Sequence, residues 1–210
     1  MEATKTLITA SDFAAACGLN PYMSRRDLWE KKVNGIIKPI NEASRERMAI
    51  GIQDEPKAVE WFRNVTGLPV TYPVEFCVSG HYPGLGCTPD ALVGDCGLLE
   101  VKRPYSVYND IPIYYLTQIV GQMAIADKGI CYFLAWTPEE QKEWAVYYPI
   151  ERAFEWMLPY LEEMLGYIQE KKKPPRFKKK PDGREFRELI DYEVVATWVA
   201  GLLVEPIFVK

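Results

Sequence analysis

Asp90, Glu100 and Lys102 are the residues whose types and spacing could do chemistry together. They stand in Cys87-Thr88-Pro89-Asp90-Ala91 and Leu99-Glu100-Val101-Lys102-Arg103-Pro104, a Pro-Asp pair followed after nine intervening residues by Glu-x-Lys. On a strand, alternation sends Glu100 and Lys102 to one face and Val101 to the other. Asp90 joins them in one hairpin register: a three-residue loop over 94–96 sets it opposite Glu100, whereas a two-residue loop turns one of them to the other face. Once converged, two carboxylates and the Val101 carbonyl make a hard, oxygen-only site suited to Mg²⁺ or Mn²⁺. Lys102 beside it could orient or deprotonate a water. A phosphodiester is the substrate such a site fits, because the metal neutralises charge developing on the phosphate and sharpens a water nucleophile.

These residues need elements to position them, and hydrophobic periodicity supplies candidates. Short helices are expected over 9–17 (Thr9 or Ser11 as N-cap) and 24–33. A longer one is expected over 41–65, with Pro56 as a kink or break. Val, Tyr and Phe alternate over 69–78, a strand pattern, and 85–93 and 98–102 read as two more strands around Gly94-Asp95-Cys96-Gly97. A helix over 114–127 follows, then strands over 130–137 and 143–150. A long amphipathic helix over 151–173 presents Phe154, Leu158, Leu161, Leu165 and Ile168, and a last helix is expected over 184–204. The order implies an α/β or α+β core, a central mixed sheet flanked by helices, with a helical N-terminal part. We expect one domain over 1–210, divided into a helical part (1–68), the core (69–170) and a basic segment with a C-terminal helix (171–210).

Composition narrows the chemistry further. Of 210 residues, 48% are hydrophobic and 26% charged, ordinary globular usage that excludes collagen-like or wholly disordered architectures. His81 is the single histidine, so multi-histidine metal sites are excluded and a carboxylate-held metal is favoured. Five cysteines with no C-x-x-C pair point to reduced thiols rather than a disulfide framework or structural zinc. With no apolar run long enough to span a bilayer, a cytoplasmic protein without membrane association is expected. The net charge of −4 hides an uneven distribution: the ten residues 171–180 (KKKPPRFKKK) carry seven positive charges and no negative ones. That run reads equally as a solvated linker or as a contact for phosphates.

The Pro89-Asp90 and Glu100-Val101-Lys102 pattern is the PD-(D/E)xK nuclease motif, and the chain resembles one branch of that superfamily more closely. Ile8-Thr9-Ala10-Ser11, Gly51-Ile52-Gln53-Asp54-Glu55, Cys87-Thr88-Pro89-Asp90-Ala91, Leu99-Glu100-Val101-Lys102-Arg103-Pro104 and Tyr115-Leu116-Thr117-Gln118 are similar, in order and spacing, to the motifs of phage lambda exonuclease and YqaJ-type viral recombinases, over roughly residues 7 to 170. The resemblance implies a restriction-endonuclease-like core and a metal-dependent 5'→3' exonuclease. Such an enzyme degrades the 5'-ended strand of duplex DNA to 5'-phosphomononucleotides and leaves 3' single strands for an annealing protein. It also implies two Mg²⁺ ions (Mn²⁺ substituting) held by Asp90, Glu100 and the Val101 carbonyl, with Lys102 acting on the water and Glu55 and Gln118 supporting the site. A ring-shaped homotrimer in a phage-infected or bacterial cell is implied as well.

Ser11 and Thr88 fall where the family has serines near the 5'-phosphate. The arginine expected seven residues before Ser11 is replaced by Thr4, leaving Lys5, Arg25 or Arg26 as candidates for its role. The tyrosine usual one turn after the glutamine is missing around Gly121 and Gln122. Two alternatives stand beside the exonuclease: an endonuclease or DNA-repair nuclease with the same site, and a catalytically inactive DNA-binding adaptor.

Overall fold

The computed structural model describes residues 7–199 and 202–206. Strands β1 (Ile8–Thr9), β2 (Val70–Thr71), β3 (Cys77–Val78), β4 (Leu85–Cys87), β5 (Ala91–Val93), β6 (Gly97–Lys102), β7 (Ile130–Trp136), β8 (Glu140–Tyr147), β9 (Asp191–Val199) and β10 (Leu202–Pro206) form two sheets. The larger has the order β10-β9-β8-β7-β6-β5-β2, and the smaller the order β1-β4-β3. Within the large sheet β6 and β7 run parallel and the other pairs antiparallel, so the expected mixed sheet is present.

Helices cover both faces. One face of β6 and β7 carries Leu98, Cys131, Phe133 and Ala135, buried with Phe13, Leu116, Met123, Phe154 and Leu161 from α1 (Phe13–Ala16), α4 (Ile113–Ala126) and α5 (Glu151–Gln169). The other carries Leu99, Val101 and Leu134 against Ala58, Val59 and Phe62 of α3 (Glu42–Thr66). A side chain such as Phe62, fully removed from water, contributes about 1.5–3 kcal/mol, and these two layers fix the sheet between its helices. Gly121 on α4 is a condition of that packing. A Cβ there would lie 2.5 Å from the Phe13 ring and 3.3 Å from Ala10, so no larger residue lets the N-terminal turn approach so closely.

Several expectations are corrected. Pro56 does not break α3, which is continuous through it. Its missing N–H and the Ile52 residue it would have bonded both lie on the exposed side, where water can serve the orphaned carbonyl. The strand expected over 69–78 is two separate dipeptides in different sheets, β2 paired with β5 and β3 with β4, because Pro73 between them has no donor for a ladder. Pro89 likewise divides the strand expected over 85–93.

The last helix expected over 184–204 is only α6 (Gly183–Arg187), followed by the β9–β10 hairpin. Val194, Val195, Thr197, Trp198 and Val199 are β-branched or aromatic, and β9 pairs along the whole of β8 from Glu140↔Val199 to Tyr147↔Asp191. Available sheet edge outweighed helical spacing. The remaining short helix, α2 (Arg25–Trp29), has Ser24 as its N-cap, accepting from the Asp27 N–H.

Candidate active site

The hairpin register decides whether the acidic residues meet. Pairs Ala91↔Leu99, Leu92↔Leu98 and Val93↔Gly97 leave a three-residue loop over 94–96, with Gly94 in the left-handed region (φ +55°) that glycine adopts without strain. Asp90, one residue beyond the last pair, thus faces Glu100. Its Oδ2 accepts the Val101 N–H at 2.7 Å, clamping the acid to the end of β6.

Glu100 is the centre of the constellation, with only 1% of its surface exposed. Its Oε1 accepts from Gln118 Nε2 at 2.6 Å and from Lys102 Nζ in a close ion pair, and its Oε2 accepts from Gln122 Nε2 at 2.7 Å. Gln118 and Gln122, one turn apart on α4, therefore hold the two oxygens of one carboxylate. Gln122 also reaches the Thr88 carbonyl at 3.4 Å, tying the helix to the residues before Asp90. Its own Oε1 is buried without a partner among the described residues. Lys102 lies 5.3 Å from the centre of the Tyr115 ring, which closes the lysine's far side.

Crowding of charge shapes the electrostatics. Asp90 is pushed well above the usual carboxylate range, first by burial and then by the neighbouring Glu100; Lys102 and the Val101 N–H oppose the shift. Burial alone would lower the Lys102 ammonium, but Glu100 and Asp90 outweigh it and hold it above its ordinary value. Glu55 reaches the same field from α3. Half-buried and accepting the Tyr72 hydroxyl at 3.4 Å, it is raised mainly by burial, with Lys102 lowering it and Glu100 adding to the rise. Asp54 beside it bonds Arg103 Nε at 3.1 Å and Lys57 Nζ at 2.7 Å, so the residue after the motif lysine anchors α3 and thereby Glu55.

The parallel pair β1–β4 unites the hydroxyl candidates. With Thr9 paired to Gly86, Ser11 and Thr88 each lie two residues past paired positions, at the same end of the small sheet. Both are exposed, and Ser11 sits in the turn that Thr9 and Asp12 cap, with Thr9 Oγ1 donating to Asp12 at 2.8 Å. Arg25 is directed elsewhere: its guanidinium is buried, bonded to Glu163 Oε2 at 2.6 Å, and stacked 4.6 Å from the Phe177 ring. Arg26 donates from Nε to the Pro174 carbonyl. Thr4 and Lys5 lie outside the described residues.

Tyr72, Tyr115, Asp54 and the second glutamine's grip on Glu100 were not assigned roles from sequence. The spacing of Gln118 and Gln122 was the one available signal, since four residues apart on a helix is one face. Among the described residues no three His, Cys, Asp or Glu side chains form a ready metal cage. The donors are instead two mutually repelling acids on adjoining strands, one fully dressed by hydrogen bonds, beside an unpartnered buried amide oxygen.

A mixed sheet with helices on both faces, and with Asp, Glu and Lys at the open end of its β5–β6 hairpin, defines the fold of PD-(D/E)xK nucleases. The chain belongs to a particular family with that fold: the model of the YqaJ-like viral recombinase domain matches residues 1–129. Among solved structures it is similar to an alkaline exonuclease, LHK-Exo, from Laribacter hongkongensis. Identity is 21% and the TM-score 0.64, with 81% of this chain and 91% of that one covered. The same protein in complex with dAMP matches equally, over 92% of its length. SSO0001 is more distant, at 13% identity and a TM-score of 0.50 over 82% of this chain and 79% of that one. No curated protein matches the chain significantly. Among the described residues no helix is long and apolar enough to cross a membrane.

Proposed function

We propose that this protein is a metal-dependent 5'→3' exonuclease acting on linear duplex DNA, releasing 5'-phosphomononucleotides and leaving 3' single strands for a strand-annealing partner. The observation that carries this reading is the convergence of Asp90, Glu100, Lys102 and Gln118, with Glu55 in their field, from four separated stretches of a YqaJ-family chain. Alkaline exonuclease activity belongs by name to its structural neighbour, which also binds dAMP, a product-like nucleotide.

The residues present fit Mg²⁺ or Mn²⁺. Burial and the neighbouring Glu100 raise the cost of ionising Asp90, which a hard divalent cation relieves, and the oxygens of both acids with the Val101 carbonyl are the donors such ions take. When bound, two such ions supply Lewis acidity at the scissile phosphate and a more acidic water. Gln118 and Gln122 fix the Glu100 carboxylate in one orientation, so it need not reorganise during reaction. Lys102, charged and fastened to Glu100, orients the attacking water and presents its positive charge to the phosphate. Ser11 and Thr88 offer hydroxyls at one edge for the 5'-phosphate.

A homotrimer is part of the reading; Ile36, Ile37, Met48 and Ile52 stand exposed, apolar surface that an assembly would cover. The deciding experiment incubates purified protein with linear duplexes bearing 5'-phosphate or 5'-hydroxyl ends and with covalently closed circles, in Mg²⁺ or EDTA, alongside Asp90→Ala. Mononucleotide release from linear DNA, absent in EDTA and in the variant, is expected. Cutting of the circles would make it an endonuclease, and intact linear DNA an inactive binder.

A further inference from the structure

The basic run 171–180 is not a free linker. Phe177 inserts against Gly18, whose φ of +76° and lack of a Cβ admit the ring: a Cβ there would lie 2.5 Å from it. The same ring stacks on the Arg25 guanidinium at 4.6 Å and meets Tyr160 edge-on at 6.0 Å. Arg26 Nε donates to the Pro174 carbonyl at 3.0 Å, and Lys173 bonds Glu30 at 2.6 Å. Folded back this way, the segment forms with α2 and its flanks a cleft of about 640 Å³.

Six cations line the cleft against two acids, Asp27 and Glu30. Lys38 pairs with Asp27 at 2.8 Å and Lys173 with Glu30, while Arg25 pairs with Glu163 outside the lining. Among the described residues no carboxylate pairs with Arg26, Arg176 or Lys180, and on the neighbouring rim Lys179 is likewise unpaired, beside Arg184 and the acids Asp182 and Glu185. The cleft thus has uncompensated positive charge on a fixed frame.

Its mouth holds an aromatic ring. Tyr22 lines the cleft, is 79% exposed, and touches Tyr114 edge-on at 5.7 Å. Tyr114 in turn packs on Tyr115 at 4.4 Å, and Tyr115 lies over Lys102. Three rings therefore join the cleft to the candidate catalytic lysine, within roughly five nucleotides' rise at about 3.4 Å each. Several unpaired cations along one cleft with an exposed ring suit a polynucleotide strand better than a compact anion, since cations track the backbone and a ring accepts any base.

We propose that the cleft between α2 and residues 171–180 is a second DNA-contact site, in which Arg26, Arg176, Lys179 and Lys180 hold the backbone of a strand leaving the catalytic centre and Tyr22 stacks on an unpaired base. It rests on the nuclease reading for its direction, not for its existence, and the test reads binding apart from cleavage. In EDTA, affinity for a fluorescent single-stranded oligonucleotide is measured against salt for wild type and for three variants. Arg176→Gln with Lys179→Gln and Lys180→Gln, all in one chain, should lower the slope of log affinity on log salt by about 2, and affinity at 0.1 M salt by roughly tenfold or more. Phe177→Ala, which keeps every charge but frees the segment, should lose several-fold affinity. Tyr22→Ala should lose about tenfold. An unchanged slope in the triple variant overturns the site, wild-type affinity in Phe177→Ala reduces it to an untethered basic tail, and wild-type affinity in Tyr22→Ala removes the stacking. A wild-type protein that binds with these losses yet cleaves nothing would refute the nuclease reading and leave this one standing.

Discussion

Two glutamates, equally buried at 1% exposure, sit on opposite faces of the same sheet and have opposite environments. Glu100 on β6 looks toward α4 and receives Lys102, Gln118 and Gln122. Glu143 on β8 is in line with Leu134 and Val101, on the α3 side, and its Oε2 has no hydrogen-bond partner among the described residues. Burial alone raises Glu143 to about 7. Trp136 Nε1 and Gln141 Oε1, directly across the β7–β8 ladder from each other, are unpartnered as well. The contrast teaches that burial does not mark a working acid: what distinguishes Glu100 is the set of donors brought to it from another element.

The same change should therefore do opposite things at the two positions. Glu100→Gln removes the charge on which Lys102 and the candidate metal depend, and cleavage rate should fall by about 10²–10³ or more, with little loss of thermal stability. A variant retaining more than a tenth of wild-type rate would remove Glu100 from the centre of the site. Gln118→Ala and Gln122→Ala should each reduce activity by about 10–100-fold and raise the Mg²⁺ concentration needed for half-maximal rate. Because both amides hold one carboxylate, the double variant should lose less than the product of the singles. Simple multiplication would mean that they act independently of Glu100.

At Glu143 the effect is on stability. An unfolded glutamate titrates near 4.5 and this one near 7, so between those values the folded state holds the extra proton and stability falls as pH rises; above about pH 7 the full cost is present. Glu143→Gln should flatten that fall, gaining on the order of 2 kcal/mol over wild type at pH 8.5 relative to pH 5, measured by urea denaturation. An equal difference at both pH values would show that the carboxyl has a partner in solution. Smallest is Gly18→Ala, which forces a side chain into left-handed backbone and into Phe177, and should cost about 1–2 kcal/mol and expose 171–180 to protease. Unaltered proteolysis would detach the cleft from Gly18.

Much of the candidate site was legible because strand geometry is local. Alternation places Glu100 and Lys102 together, and the residue types of Gly94-Asp95-Cys96 suit the loop that brings Asp90 opposite; the structure adopts the three-residue register. Glu55 and Gln118 were legible only through the spacing of motifs far apart in sequence. The roles of Asp54 and Arg103 were not, since an ion pair across 49 residues leaves no pattern in either segment. The C-terminal strands show the converse failure. Their periodicity admits a helix, and only the open edge of β8 determined that 191–199 should extend the sheet.

The sequence by itself determined the chemical inventory: carboxylates, a lysine and a single histidine, which excludes a multi-histidine metal site, with a charge of −4 that conceals a run of seven cations. Tertiary structure alone decided how those groups are used. It gave one buried glutamate three donors and another none among the described residues, turned Arg25 toward Glu163, and folded the basic run back through Phe177 and Gly18 into a cleft. The physical reason is that burial and hydrogen bonding belong to neighbours in space, whereas charge and alternation belong to neighbours in the chain.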